Sequence, residues 1–362
     1  MPHPFASRPS FDKFDESLFD FGSGKDLSDG AISAIRSFVS GLNEDREDSG
    51  AIWGVFDKLC AAEYAVLSTG TNAEINALAR RLFGSPLSHG FLQGEQAHDA
   101  LRDSPGSRQH VGSIILDRFF RLAEAVGATR VLSAEHGQTV IHLADLDGIM
   151  ARIEDEIGAD LPAPQQDGRL FGLRLRGGIY SDRHFDGIYA AWRTREIARA
   201  SGNDAPTVCE IGGGAGHLTY YTRKLGCRSC AIIDLPQAAI VQYLMLASEF
   251  GEHRVSLDHP VRDGVELIQA GTPEADQTHR WDVLINVDSI PEMPPSAAER
   301  YIANVARGQT FISINQESGI PNGSHTQNVV RDVAARMQLK RSSRYPAWLR
   351  SGYVEEVYTR RA

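Results

Sequence analysis

One stretch restricts this chain more than any other. An apolar run, Thr207-Val208-Cys209-Glu210-Ile211, stops at Gly212-Gly213-Gly214-Ala215-Gly216, and helix-spaced Leu218, Tyr221 and Leu225 follow. A buried strand, a tight glycine turn and a helix N-terminus make the first unit of a doubly wound α/β sheet. Glycine supplies turn dihedrals that a side chain forbids and lets a ligand come close to the backbone. Spacing then separates the nucleotide folds that open this way. A dinucleotide fingerprint needs G-x-G-x-x-G/A, but counting from Gly212 and Gly214 the last position is His217. A phosphate loop needs G-K-S/T, and no lysine follows until Lys224. What stands here is acidic-x-G-x-G-x-G: Glu210, Gly212, Gly214 and Gly216.

Two further runs end in polar residues. Ala231-Ile232-Ile233 leads to Asp234 and Leu235-Pro236, and an acid at a second strand tip is placed to accept two hydrogen bonds from a ribose diol. The run from Trp281 to Asp288 carries Asn286 and Asp288 near its C-terminal end, the edge at which open α/β sheets bind ligands. The acidic glycine pattern resembles motif I of class I S-adenosylmethionine (SAM) methyltransferases. The resemblance implies that Glu210, Gly212, Gly214, Gly216, Asp234, Leu235 and Asn286 contact SAM. It also implies that the stretch from Gly177 to His184 leads into the first strand and closes over the cofactor. Arg183 is then expected to pair with the SAM carboxylate and Tyr180 to form a lid; the plainer reading is a loop with a helix-starting Ser181 or Asp182.

At 362 residues the chain suggests two domains. Residues 1–28 lack periodicity and read as a loose arm. Residues 29–165 read as a mainly helical domain, with helices over 31–42, 52–64, 72–83, 95–101 and 111–126, a short hairpin within 131–143, and an acidic helix after Asp145. Residues 161–168, Leu-Pro-Ala-Pro-Gln-Gln-Asp-Gly, read as a linker. From 170 to 362 strand and helix patterns alternate, with a weak strand over 254–257, a helical turn over 264–270 and a final strand over 353–359. The expected fold is therefore α/β: a Rossmann-like, mostly parallel sheet with one reversed strand, preceded by helices. A formal charge of −10 argues against a nucleic-acid partner. No apolar run reaches membrane-spanning length and residues 1–10 lack an apolar signal core, so a cytoplasmic protein without a membrane partner is expected. Cys227 and Cys230 have no second ligand pair for a structural zinc and read as buried thiols. The apolar stripes of the helical half predict a homodimer.

The set Glu210-Ile-Gly-Gly-Gly, Ile233-Asp234-Leu235-Pro236, Asn286-Val-Asp288-Ser-Ile-Pro-Glu292-Met293, Ser313-Ile-Asn-Gln-Glu317 and Arg344-Tyr345-Pro346 resembles the sugar O-methyltransferases of bacterial natural-product pathways. That resemblance covers roughly residues 170–362 and implies SAM as cofactor and a small polar molecule as methyl acceptor. A hydroxyl acceptor needs a base near its proton, and an amine or guanidine needs carboxylates that hold a cationic nitrogen. Asp288, Glu292 and Glu317 at two strand tips are the acids so placed, with His325, on a loop after the fifth strand, or His184 as the alternative base. Tyr345, Trp348 and Arg350 are candidates for the acceptor pocket. No compact Asp, Glu and His cluster beyond Asp288 and Glu292 suggests a metal. N-methylation of a guanidine or amine stands as the alternative to a sugar hydroxyl.

Overall fold

Apolar periodicity and punctuation by Gly and Pro convert into elements in a simple order. The computed structural model describes residues 10–11, 14–42, 51–133, 136–138, 140–257, 259–305, 309–319, 321–322 and 325–360. In chain order the first part holds β1 (Ser10–Phe11), β2 (Phe19–Phe21), α1 (Asp29–Ser40), α2 (Ala51–Leu59), α3 (Ala61–Thr69), α4 (Asn72–Ala79), α5 (Gly94–Asp103), α6 (Pro105–Val126), β3 (Val140–Ile141) and α7 (Leu146–Ile157). Helix α1 shows the logic: Ser28 caps it by accepting a hydrogen bond from the Ala31 N–H (3.1 Å), and Ile32, Ile35, Phe38 and Val39 fall on the buried face. Thr71 and Glu74 form a capping box at the start of α4. Helix α6 ends at Gly127, which takes the left-handed conformation at φ 88°.

The second part holds β4 (Phe171–Leu175), β5 (Gly178–Tyr180), α8 (Asp182–Ala200), β6 (Thr207–Ile211), α9 (His217–Lys224), β7 (Ser229–Asp234), α10 (Pro236–Phe250), β8 (Val255–Ser256), β9 (Val265–Gln269) and β10 (Val283–Val287). It continues with α11 (Pro295–Ala303), β11 (Thr310–Gln316), β12 (Pro321–Asn322), β13 (His325–Thr326), α12 (Val330–Arg336), β14 (Leu339–Pro346) and β15 (Tyr353–Arg360). Eight strands form one sheet in the order β14-β15-β11-β10-β6-β7-β9-β8, parallel throughout except that β15 runs against both its neighbours. This is the Rossmann-like α/β fold that the glycine turn implied. The chain winds outward from β6 through β7, then returns to place β10 on the other side of β6. That reversal opens a crevice beyond the C-terminal ends of the central strands.

Several local expectations differ from the structure. Residues 14–28, expected as a loose arm, contribute β2, which pairs with β4, and Phe19 stacks between Phe14 and Phe171. The hairpin expected within 131–143 does not form among the described residues; Val140 and Ile141 instead pair in parallel with Ser10 and Phe11. Residues 264–270 are not a helical turn but strand β9, paired with β7 and β8. A short apolar run buried on both faces has no period to distinguish strand from helix. The linker-like stretch is not solvated either. Leu161, Ala163 and Gln166 are buried, and the Gln166 side chain accepts from the Lys25 N–H (2.7 Å). One hydrophobic core runs across that stretch, from Phe19, Ile35 and Leu116 to Tyr180, Leu218 and Ile240. Cys227 and Cys230 are buried free thiols with sulfurs 3.5 Å apart. No helix among the described residues is long and apolar enough to cross a membrane.

Candidate active site

The crevice at the strand ends is a cavity of about 1520 Å³. Its floor is the turn after β6 and the tips of β7, β9 and β10. Its roof comes from the helical half, through Trp53, Asp57, Lys58 and Tyr64 of α2 and α3 and through Gly90 and Phe91.

The glycine turn is held from below. Asp234 Oδ2 accepts from the N–H groups of Gly213 (2.8 Å) and Gly214 (3.1 Å) and from the Gln242 amide (2.7 Å), while Oδ1 accepts from the Leu235 N–H (2.8 Å). A carboxylate oxygen has two lone pairs, so Asp234 keeps capacity on Oδ1 for one outside donor rather than the two expected. Gly212 and Gly214 have φ of 70° and 55°, left-handed values that strain other residues. A β-carbon at Gly212 would overlap the Ser289 hydroxyl, and one at Gly214 would sit 3.2 Å from Phe91. Glu210 is buried beneath the turn and accepts from Thr219 Oγ1 (2.7 Å); burial, aided by the Asp234 charge, pushes its carboxyl up to about 7. Burial likewise raises Asp234 to about 6, against the hydrogen bonds it accepts.

Three of the expected cofactor residues do not reach the cavity. Gly216 caps α9 at φ 88° and packs against Met245 and Leu246. Asn286 is fully buried: its amide donates to Ile211 O (2.7 Å), and its carbonyl accepts from Asn315 (2.9 Å), so it ties strand ends together beneath the floor. Tyr180 is no lid. Its ring is in the core, stacked on Phe185, with its hydroxyl donating to Leu161 O (2.9 Å). Glu210, Gly212, Gly214, Asp234, Leu235 and Arg183 do line the cavity.

At the other end, Asp288 and Glu292 are brought together. Asp288 sits at φ 67°, held there by its N–H to Ile314 O (3.2 Å). Its carboxylate accepts from Tyr353 Oη (2.7 Å) and Arg350 Nη2 (2.8 Å), with Arg183 Nη1 3.8 Å away. Glu292 ends a short 3₁₀ turn, Ile290–Glu292, and accepts a hydrogen bond from the Trp53 indole. Burial and the Asp288 charge push Glu292 up to about 7, opposed by Trp53, Arg183 and Arg350. A carboxyl that titrates near neutrality can both accept and release a proton at working pH.

The other candidates lie elsewhere. Glu317 is clamped by Arg344 through two hydrogen bonds (3.0 and 2.7 Å) with Arg331 at 3.6 Å, which lowers its pKa, and it is absent from the cavity wall. Tyr345 and Trp348 are 57% and 43% exposed and also lie off the wall. Arg350 reaches the site only behind Asp288, with its guanidinium 3.7 Å over the Tyr353 ring. The His325 backbone belongs to β13, and its side chain lies outside the described residues. His184 is a helix cap: its Nδ1 accepts from the Ser181 N–H (3.0 Å), and burial depresses its pKa. His217, its ring 4.2 Å from that of His184, does line the cavity, and burial depresses it to about 4.

Sequence reasoning missed the roof residues Trp53, Asp57 and Phe91, the wall residue Asp186, and Gln269 to Thr272 beyond β9. The last group carries a signal, a polar residue that ends an apolar run, but a run buried on both faces has no period to separate a strand from a helical turn. The roof residues carry no local signal because they reach the site only through the packing of α2 and α3.

Fold and site together define a Rossmann-like α/β protein with a cavity at its topological switch point. Among solved structures, it is similar to the 1,6-didemethyltoxoflavin-N1-methyltransferase of Burkholderia thailandensis bound to 1,6-didemethyltoxoflavin and S-adenosylhomocysteine (16% identity; 48% of this chain and 79% of that one; TM-score 0.34). It is also similar to the glycopeptide N-methyltransferase MtfA with sinefungin (16% identity; 48% and 94%; TM-score 0.37). A third is the magnesium protoporphyrin IX methyltransferase of Synechocystis PCC 6803 with S-adenosylhomocysteine (12% identity; 49% and 86%; TM-score 0.36). No family model and no curated protein matches the sequence.

Proposed function

We propose that this protein is a SAM-dependent methyltransferase that methylates a hydroxyl of a small polar metabolite, a sugar or sugar-like molecule of secondary metabolism. The observation that carries the reading is the two-ended cavity: a glycine turn pinned by a buried acid at one end, and at the other Glu292, a carboxyl near neutrality. The donor set fits the cofactor. The backbone of Gly212 to Gly214 lines the cavity, Asp234 Oδ1 has room for one ribose hydroxyl, and Arg183, a cation on the cavity wall, suits a carboxylate. When bound, SAM supplies an electrophilic methyl group on a sulfonium.

This chain's own residues then do the rest. The cavity would hold acceptor and cofactor side by side, and alignment of reacting groups is worth up to roughly 7–11 kcal/mol in well-oriented systems. Glu292 is the residue that would take the proton of an acceptor hydroxyl, and SAM, when bound, would supply the methyl that replaces it. Asp288, fixed by Tyr353 and Arg350, keeps Glu292 basic through its charge. A second reading, N-methylation of a guanidine or amine, draws support from the excess of acids among the cavity-lining residues, Asp57, Asp186, Glu210, Asp234, Asp288 and Glu292 against Lys58, Arg183 and Arg300. Titration calorimetry with S-adenosylhomocysteine, followed by mass spectrometry of products from SAM with hydroxylated and cationic acceptors, tests both. Absence of cofactor binding refutes the enzyme reading, and products methylated only on nitrogen refute the sugar. We further propose a homodimer, supported by the exposed Val55 and Leu59 of α2, Ile114 of α6 and Val140; light scattering that shows a monomer at micromolar concentration refutes it.

A further inference from the structure

Helix α2 lies in the roof opposite the glycine turn, with Trp53, Gly54, Asp57 and Lys58 on the cavity wall. It is weakly held. None of its described residues from Trp53 to Leu59 is buried, whereas α1 buries Ile32, Ile35, Phe38 and Val39. A helix of nine residues has little stability of its own, and Gly54 within it lowers that further. A segment with few buried apolar contacts opens locally at small cost. The contacts that seat α2 are aromatic. The Trp53 ring stacks on Phe91 (centroids 6.1 Å apart), the Phe56 ring stacks on His89 (6.0 Å), and the two meet edge to face (5.6 Å). Gly90 makes room for both rings, since a β-carbon there would lie 2.8 Å from Phe56 and 3.0 Å from Trp53. Asp57 accepts from Tyr64 Oη (2.6 Å), again within the roof. Across the cavity runs a different tie: the Trp53 indole donates to Glu292 on the floor. The opposing walls are built more firmly, for α8 carries the fully buried Phe185 and Ile188, and the floor strands belong to the central sheet.

We infer that α2 is a lid over the cavity, latched to the floor by the hydrogen bond from Trp53 to Glu292, and that small molecules enter and leave when it lifts. The latch rests on this geometry alone; its use by cofactor and acceptor rests on the methyltransferase reading above. An indole N–H only donates and a carboxylate only accepts, and a bond to a charged acceptor is stronger than one between neutral groups. Closed, the lid sets Trp53 beside Glu292 and keeps bulk water from it. Lifted, it gives up that one bond and the stacking on Phe91 and His89, and the rest of the roof stays in place on α3.

Amide hydrogen exchange on the full chain at pH 8, where Glu292 is largely ionised, reads the latch, with α1 as the internal reference. Trp53→Phe keeps a ring against Phe91 but has no N–H to give. Glu292→Ala removes the acceptor and leaves the rings of α2 as they are. Each variant is expected to speed exchange of α2 by about 10-fold and to leave α1 unchanged, and the double variant to add nothing further. Unchanged α2 exchange in both variants, or effects of the two that add, overturns the latch. So does a rise in α1 by the same factor, which would mark a general loosening of the fold. Protection of α2 that grows with protein concentration would put a second copy over it and overturn the lid. Stopped-flow release of S-adenosylhomocysteine should be faster from Trp53→Phe than from the wild type, and an equal rate overturns the gating role. Calorimetry that shows no binding of S-adenosylhomocysteine by the wild type refutes the methyltransferase reading instead, and the exchange comparison still decides the latch.

Discussion

At the scale of single residues, two buried acids carry separable consequences. Glu292 must be ionised to act as a base, so turnover of a hydroxyl acceptor is expected to rise with pH through about 7. Glu292→Gln should lower kcat by about 10²- to 10⁴-fold with little change in S-adenosylhomocysteine affinity; parallel kinetics and calorimetry check this, and loss of cofactor binding would instead make Glu292 part of the cofactor site. Glu210 has the same elevated pKa, near 7 against an ordinary 4.5, but lies beneath the turn. Between those values the folded protein holds a proton that the unfolded chain has released. The contribution of Glu210 to the stability of the ligand-free protein therefore falls as pH rises from about 4.5 to about 7. Glu210→Gln should remove part of that slope, worth roughly 1–3 kcal/mol. Urea melts at pH 5 and pH 8 measure it, and an unchanged slope in the variant would assign the effect to other groups.

At the scale of elements, the turn after β6 and helix α2 meet the cavity from opposite sides. Gly212→Ala forces a side chain into a left-handed conformation and displaces Ser289, whose hydroxyl donates to Ile211 O (2.8 Å). The backbone cost alone is about 1–3 kcal/mol, so a lower melting temperature together with loss of S-adenosylhomocysteine binding is expected; a variant that binds normally would remove the turn from the site. Helix α2 delivers Trp53, which stacks near Phe91 and donates to Glu292. That hydrogen bond lowers the pKa of Glu292. Trp53→Phe keeps the stacking and should move the acidic limb of the pH–rate profile upward, and a limb that stays in place would show the contact to be packing only.

At the scale of the whole molecule, one core runs through both halves. Phe119 of α6 is fully buried and packs against Phe185 of α8 (ring centroids 5.3 Å apart). Phe119→Ala should cost about 3–5 kcal/mol and shift a single calorimetric transition of the entire chain. Two transitions, with only one displaced, would mean that the halves unfold independently. The shared core also gives a function to the helical half: it roofs the cavity, and without it Glu292 would lack its indole partner and more of the cavity would open to water.

The glycine turn and the three polar strand tips were legible because each is a local event. A strand that stops at glycine, or an acid that closes an apolar run, declares its position within a few residues, and the sheet's C-terminal edge follows from that alone. Glu292 was legible for the same reason. Asn286 and Tyr180 were not: the residue type suits a ligand, but packing against Ile211, Asn315 and Leu161 consumed their polar atoms. Glu317 was lost to Arg344, a partner 27 positions away on another strand. The linear chain thus determined the sheet's central strands, the turn and the polar residues at its edge. Tertiary structure alone decided which of those side chains kept free lone pairs, and it brought Trp53, Phe91 and Asp186 to the cavity, because contacts between distant segments leave no period in the sequence.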